Sequence, residues 1–334
     1  MLLEPQRTNV NTKSENIQNW SFASNASGEY GYEDPFKGNK AVKLTSTSDA
    51  QTYQAYQGSS VLSSGTTYTY SIYAKRGTAY AFLIDFAIPN NGSVIVDLRD
   101  GSLISESGVG YIGYNVEALS NGWYRISMTT TFNSSAYFRT GLFNQQGDCY
   151  VAFSQIEAGS YATSYIPTSG QSGGVTRVAE TSSQTAPDGA IGQTEGTVFL
   201  DTKMALQSIN NYQLFSINNV GSSDRIRILT ATGNRLRFIY QLDGGSLAYS
   251  FYNPTDYGSL TSLKIAFTYK SGDIKVYING VLVNSSSNTF TIAETLTNID
   301  IATSAGGYSQ MFFNDVKLYN TALTGAELQA LTTI

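Results

Sequence analysis

Apolar and polar residues alternate with a period of two along much of the chain. In TTYTYSIYAK (66–75), Tyr68, Tyr70, Ile72 and Ala74 fall on one face and Thr69, Ser71, Tyr73 and Lys75 on the other. GWYRISMTTTF (122–132) sets Tyr124, Ile126 and Met128 against Trp123, Arg125 and Ser127. DIKVYINGVLV (273–283) aligns Ile274, Val276 and Ile278, then reaches Asn279-Gly280, a pair that tolerates positive φ and predicts a type I′ hairpin turn. Such runs recur between Gly, Asn, Ser and Asp punctuation, which predicts antiparallel β-sandwiches rather than βαβ units.

One helix is predicted, at the C-terminus. In TALTGAELQALTTI, Thr324 is placed to cap it and Glu327 to complete a capping box. Leu323 and Leu328 stand where a hydrophobic staple falls, and Leu331 extends a narrow apolar stripe. The fold class is therefore all-β: two antiparallel β-sandwich (jelly-roll) domains in series with a short C-terminal helix.

The chain has 334 residues, enough for two domains at roughly 150 residues each. Residues 168–192 are rich in Gly, Ser and Thr and read as a linker between a sandwich at 1–167 and another at 193–334, with VTRVAE able to add a strand to either neighbour. Only 13% of residues are charged and the net charge is −5. With no basic block, nucleic acid is not an expected partner. No stretch approaches the ~18 apolar residues of a membrane helix, so no membrane insertion is expected. The N-terminus has no basic and apolar leader, and LLEPQRTNVN raises the question of whether further sequence precedes it. Cys149, the single cysteine, excludes a disulfide framework within the chain and reads as a small buried residue on a strand. Trp20 and Trp123 read as core.

Histidine is absent, which removes histidine-based triads, histidine general bases and histidine-ligated metals. Glycoside hydrolysis needs only two carboxylates. Glu33/Asp34, Asp97/Asp100 and Glu29/Glu33 are the available pairs; the first two read better as turn chemistry, and no carboxylates alternate along one strand as in sandwich-fold glycosidases. Tyr137, Arg139 and Gln145 resemble a lyase set only in composition. No catalytic residues are assigned and the chain is read as a non-enzyme. No cofactor is expected. A structural calcium could draw on Glu4, Asp49, Asp148 and Glu157.

Aromatics outside the alternating runs point instead to binding. GEYGYEDPF (28–36) carries Tyr30, Tyr32 and Phe36, and QTYQAYQG (51–58) carries Tyr53 and Tyr56 among glutamines. In GSLAYSFYNPTDYG (245–258) and SAGGYSQ (304–310), Tyr252, Tyr257 and Tyr308 are read as exposed. Sugar C–H faces lie on such rings while amides take the hydroxyls. These eight aromatics in loops are the expected ligand-binding residues.

Three stretches then carry a resemblance. LLEPQRTN, followed by QIEAGSYATSYIPTSG (155–170) and VTR (175–177), resembles a module of bacteriophage tail-fibre and other virion surface proteins. GTVFLD, KVYINGVLV and FFNDVKLYNTALTGAELQAL make the stretch from Thr194 look like a concanavalin A/laminin-G-like sandwich. NWSF, AVKLTS, TYTYSIYAK and GWYRIS make the first domain similar to carbohydrate-binding-module jelly rolls. The resemblance implies a non-enzymatic tail- or head-fibre protein, assembled in a host cytoplasm and residing in the virion. Its partners would be surface glycans and other virion proteins, with a homotrimer the implied assembly. In that family the LEPQRTN segment follows upstream attachment sequence. The other reading is an extracellular one, the carbohydrate-binding domains of a secreted bacterial polysaccharide-degrading protein.

Overall fold

The computed structural model describes residues 2–49, 55–58, 62–87, 92–132, 137–180, 182–206, 210–219, 224–242, 246–258, 260–301 and 310–334. The chain divides into two compact units, Arg7–Arg177 and Met1–Gln6 with Val178–Ile334, here the first and second units. Each is a pair of six-stranded antiparallel sheets closed over one apolar core. The segment 168–192 is divided between them and contributes two strands, Val175–Arg177 and Ser182–Thr185.

In the first unit one sheet runs Tyr111–Ala118, Trp123–Thr131, Thr67–Arg76, Gly147–Ala158, Ala41–Ser46, Ala26–Tyr32. The facing sheet runs Leu103–Ser107, Gly92–Asp97, Ala81–Ala87, Tyr137–Leu142, Ala55–Gly58, Ser21–Phe22. The alternation read from sequence selects the inner faces. Tyr70, Ile72, Ile126 and Met128 meet Phe82, Ile84, Val94 and Phe138 in one core, with Cys149 and Trp20. Trp123 is buried too, but in a second cluster with Tyr73 and Phe153.

The strand Thr67–Arg76 departs from simple half-burial. Thr69, Ser71 and Tyr73, on the face turned away from the main core, are 1%, 1% and 4% exposed. Residues 159–165 lie over that face. Thr69 Oγ1 donates to Gly159 O at 2.9 Å, Arg125 Nη2 to Thr163 O at 2.6 Å, and Tyr73 meets the Tyr165 ring. A separate two-stranded ribbon joins Arg7–Asn9 to Val175–Arg177.

In the second unit one sheet runs Leu2–Leu3, Gln310–Tyr319, Glu195–Ala205, Thr261–Lys270, Ile274–Ile278, Val281–Ser286. The other runs Ser182–Thr185, Asn298–Ile301, Gln213–Asn218, Arg225–Ala231, Arg235–Leu242, Ser246–Tyr252. Asn279 and Gly280 turn the hairpin with φ of 49° and 78°, as the type I′ reading requires. The helix is Gly325–Thr332, with both halves of the Thr324/Glu327 capping box formed. Leu328 is buried against Phe199, Ala266 and Tyr277, with Leu323 and Leu331 beside it. It is the only α-helix among the described residues and is too short to cross a membrane.

Candidate functional site

A polar pocket of about 390 Å³ opens in the first unit, lined by Asp49, Thr78, Ala79, Tyr80, Asn144, Gln145 and Gln146. It is an open surface depression rather than an enclosed cavity. Three segments build it, one of them the connection that carries Asp49. Residues 78–80 lead into the strand Ala81–Ala87, and 144–146 link Tyr137–Leu142 to Gly147–Ala158. Asn144 takes φ of 49°, a left-handed conformation that asparagine tolerates well.

Each wall is fixed by backbone hydrogen bonds. Gln145 Oε1 accepts from Tyr80 N at 3.0 Å and Ala81 N at 3.1 Å, so it stitches 144–146 to 78–80. Asp49 accepts from Gln146 N at 3.0 Å. Thr78 and Asp148 exchange two bonds: Asp148 N donates to Thr78 Oγ1 at 2.9 Å and Thr78 N to Asp148 Oδ1 at 3.0 Å. Behind the wall, the Arg99 guanidinium sits 3.8 Å from the Tyr80 ring centroid. Arg99 is itself gripped by Asp97 through Nε at 3.0 Å and Nη2 at 2.5 Å. That hydrogen bonding holds the Asp97 carboxyl below its ordinary value, against partial burial.

The lining thus offers one aromatic ring, several amides, a hydroxyl and one carboxylate, Asp49. This is hydrogen-bonding chemistry for hydroxyl-rich ligands. A hydrolytic pair of facing acids is not among the lining residues. Of the acids named from sequence, Asp34, Asp97 and Asp100 are turn-makers, while Glu29 lies on a strand. Asp34 is buried and accepts from the backbone N–H groups of Phe36, Gly38 and Lys40. Asp97 holds Arg99, and Asp100 accepts from Ser102 N. Tyr137 and Arg139 share a strand, but Arg139 is paired bidentately with Asp85 and Gln145 belongs to the pocket wall. Burial raises the Asp85 carboxyl pKa, and Arg139 opposes that rise.

The predicted binding aromatics lie largely on strands rather than in loops. Tyr30, 47% exposed, and Tyr32 are on Ala26–Tyr32, an edge strand that Gly31 bulges at φ of 107°. The Tyr32 hydroxyl donates to Glu29 at 2.7 Å, a bond that raises its pKa, and its ring packs on Tyr150. Phe36 is exposed but rests on Tyr73 and Phe153. Tyr252, 49% exposed, ends the edge strand Ser246–Tyr252 beneath Arg237. Tyr56 lies on Ala55–Gly58; its side chain, with Tyr53 and Tyr308, lies outside the described residues. Tyr257 corrects the reading: it is 5% exposed, not a rim residue, and belongs to the second core. Its backbone bridges Leu206 N and Asn234 O, which draws the ring inward. Tyr80, Asn144 and Gln146 carry no sequence motif; their meeting is visible only in the fold.

The four residues weighed for calcium have separate partners. Glu157 is buried and bonded to Gln155, Thr163 and Arg7. Asp148 engages Thr78 and Lys43, Asp49 engages Gln146, and Glu4 accepts from Glu180 N through its backbone oxygen. Among the described residues, no group of three His, Cys, Asp or Glu is placed to hold a metal ion.

One comparison bears on the second unit. Residues 179–329 match the model of the concanavalin A-like lectin/glucanases superfamily. That stretch is similar to concanavalin A-like domains. A comparison with curated proteins finds no match. Among solved structures, one similar chain is a botulinum neurotoxin type C whose cell entry depends upon interaction with two ganglioside molecules. Identity is 15% over 46% of this chain and 39% of that one, at a TM-score of 0.39. Another is the CBM40 of the Ruminococcus gnavus IT-sialidase bound to alpha2,3 sialyllactose, 17% identical over 43% of this chain and 84% of that one, at a TM-score of 0.34. The chain thus spans well under two thirds of the toxin structure's length.

Proposed function

We propose that this protein is a non-enzymatic glycan-binding protein whose pocket in the first unit takes a neutral saccharide. The observation that carries this is the lining: Asn144, Gln145 and Gln146 beside Tyr80, with a single carboxylate. Amides donate to and accept from sugar hydroxyls, a carboxylate accepts from them, and the ring offers an apolar face. No cofactor is needed for such binding. The resemblance of the N-terminal and 155–177 motifs supports a place on a bacteriophage virion, as a tail- or head-fibre adhesion protein. A homotrimer would suit it, because weak sites gain strength in multiple copies.

The test is a neutral-glycan array probed with the intact protein, followed by titration of the best binder. Saturable binding that drops at least tenfold in N144A and Q146A, with unfolding midpoints unchanged, supports the reading. No saturable binding, or binding indifferent to both changes, overturns it. The match of residues 179–329 to a lectin/glucanases superfamily keeps a second reading in view. There the chain supplies the binding domains of a secreted bacterial polysaccharide-degrading protein. A catalytic domain in the same open reading frame would favour that; flanking capsid and tail genes would favour the virion.

A further inference from the structure

One face of the second unit gathers three arginines, in a chain whose net charge is −5. On Arg225–Ala231 and Arg235–Leu242, the core takes Ile226, Ile228, Leu236 and Phe238. Strand alternation therefore puts Arg225, Arg227 and Arg237 together on the outer face. The register sets Ser216 beside Arg227 on one flank and Tyr252 beside Arg237 on the other. Leu229 and Ile239, on the same face, are only 2% and 4% exposed, as apolar side chains are when arginine stems lie over them.

The arginines' partners are neutral. Arg237 Nε donates to Ser250 Oγ at 3.2 Å and Nη1 to Asn211 Oδ1 at 3.0 Å, while its guanidinium lies 4.6 Å from the Tyr252 ring centroid. Arg227 Nη2 donates to Gln241 Oε1, and Arg227 Nε is buried without a hydrogen-bond partner. Burial first, then Arg225 and Arg237, draw the Arg227 pKa below its ordinary value. Among the described residues, no carboxylate forms an ion pair with any of the three. Asp300, on the neighbouring strands of this face, is engaged by Ser183 and Asn218, each at 2.6 Å.

Three crowded like charges disfavour the unliganded state, and an oxyanion relieves them. Guanidinium matches carboxylate and sulfate by paired N–H donors. The half-exposed Tyr252 beside them offers a flat apolar surface. We propose that Arg225, Arg227, Arg237 and Tyr252 form a binding site for an acidic saccharide, with its carboxylate or sulfate on the arginines and its sugar ring on Tyr252. The site shares only its ligand class with the pocket reading and lies in the other unit, so each can fail without the other.

The test titrates the full chain with trigalacturonic acid, a heparin-derived sulfated tetrasaccharide, and maltotriose as the neutral control. One or both acidic probes should bind saturably, with affinity falling as salt rises. R225Q, an exposed change, and R237Q should each weaken that binding about tenfold or more, and Y252A should weaken it too. K203Q, which removes a charge from the other sheet, should leave it unchanged. The stronger of the two acidic probes assigns the anion as carboxylate or sulfate. Absence of binding by both, binding indifferent to R225Q and R237Q, or an equal loss in K203Q overturns the proposal. So does tighter binding of a duplex DNA 20-mer through the same arginines, which would make the face a nucleic-acid surface.

Discussion

Arg7 and Glu157 meet inside the first unit, with Nε 3.5 Å from Oε2 and neither side chain more than 1% exposed. Around them, Glu157 accepts from Gln155 Nε2, Thr163 N and Thr163 Oγ1, and Asn9 bonds Ile156 N and Ile166 O. Ser14 and Thr168 close the same network. The RTN and EAGSYATSYIPT strings are thus two halves of one buried polar lock. The lock seals the sandwich and contains none of the pocket's lining residues. Arg7→Met leaves Glu157 charged and unpaired in the interior, and should cost about 3–5 kcal/mol in denaturant unfolding followed by tryptophan fluorescence. The charge-neutralising double change R7M/E157Q should recover part of that loss.

Arg99 acts on the pocket through Tyr80. Arg99→Ala removes the cation over the ring and frees the wall to move. Affinity for the pocket's saccharide should fall about threefold to tenfold by titration, while the melting temperature changes little, since Arg99 is largely exposed. Tyr80→Phe, which keeps the ring, should retain most of the binding.

Acid should weaken the Asp97–Arg99 grip. The Asp97 pKa is lowered in the folded state, so its contribution is present above the ordinary carboxylate range and is lost as pH falls through the lowered value. Asp85 has the opposite sign. Its raised pKa favours the protonated form, and the bias it gives folding is lost as pH rises through the raised value. Stability measured from pH 6 down to pH 2 should therefore fall less steeply in D97N, and D85N should change the slope in the other direction.

The C-terminal helix depends on its cap. Thr324→Ala removes the acceptor for Glu327 N and should cost about 1 kcal/mol, seen as a lower denaturation midpoint. Thr324→Ser should be nearly neutral.

Strands, hairpin and helix were legible because each is written locally. Alternation in 66–75 and 122–132, the Asn279-Gly280 pair and the Thr324/Glu327 box act over a few residues. Edge strands were harder. GEYGYEDPF looks like a loop because Gly31 breaks the alternation, yet the bulge at Gly31 lets Ala26–Tyr32 keep pairing with Ala41–Ser46. The exposure of Tyr257 was misread because its burial is set by distant partners, Leu206 and Asn234. The burial of the second face of Thr67–Arg76 was not legible for the same reason, since its cover comes from 159–165. The pocket was not legible at all. Asp49, Tyr80 and Asn144 come from separate connections and become neighbours only when the two sheets close.

Cys149 lies at 0% exposure in the first core, with burial pushing its thiol pKa far upward. A folded chain should therefore be inert toward maleimide and incapable of linking to a second copy by air oxidation. Labelling kinetics at this one sulfur would report how often the first sandwich breathes open, and disulfide-linked pairs on a non-reducing gel would mark material that had lost its shape.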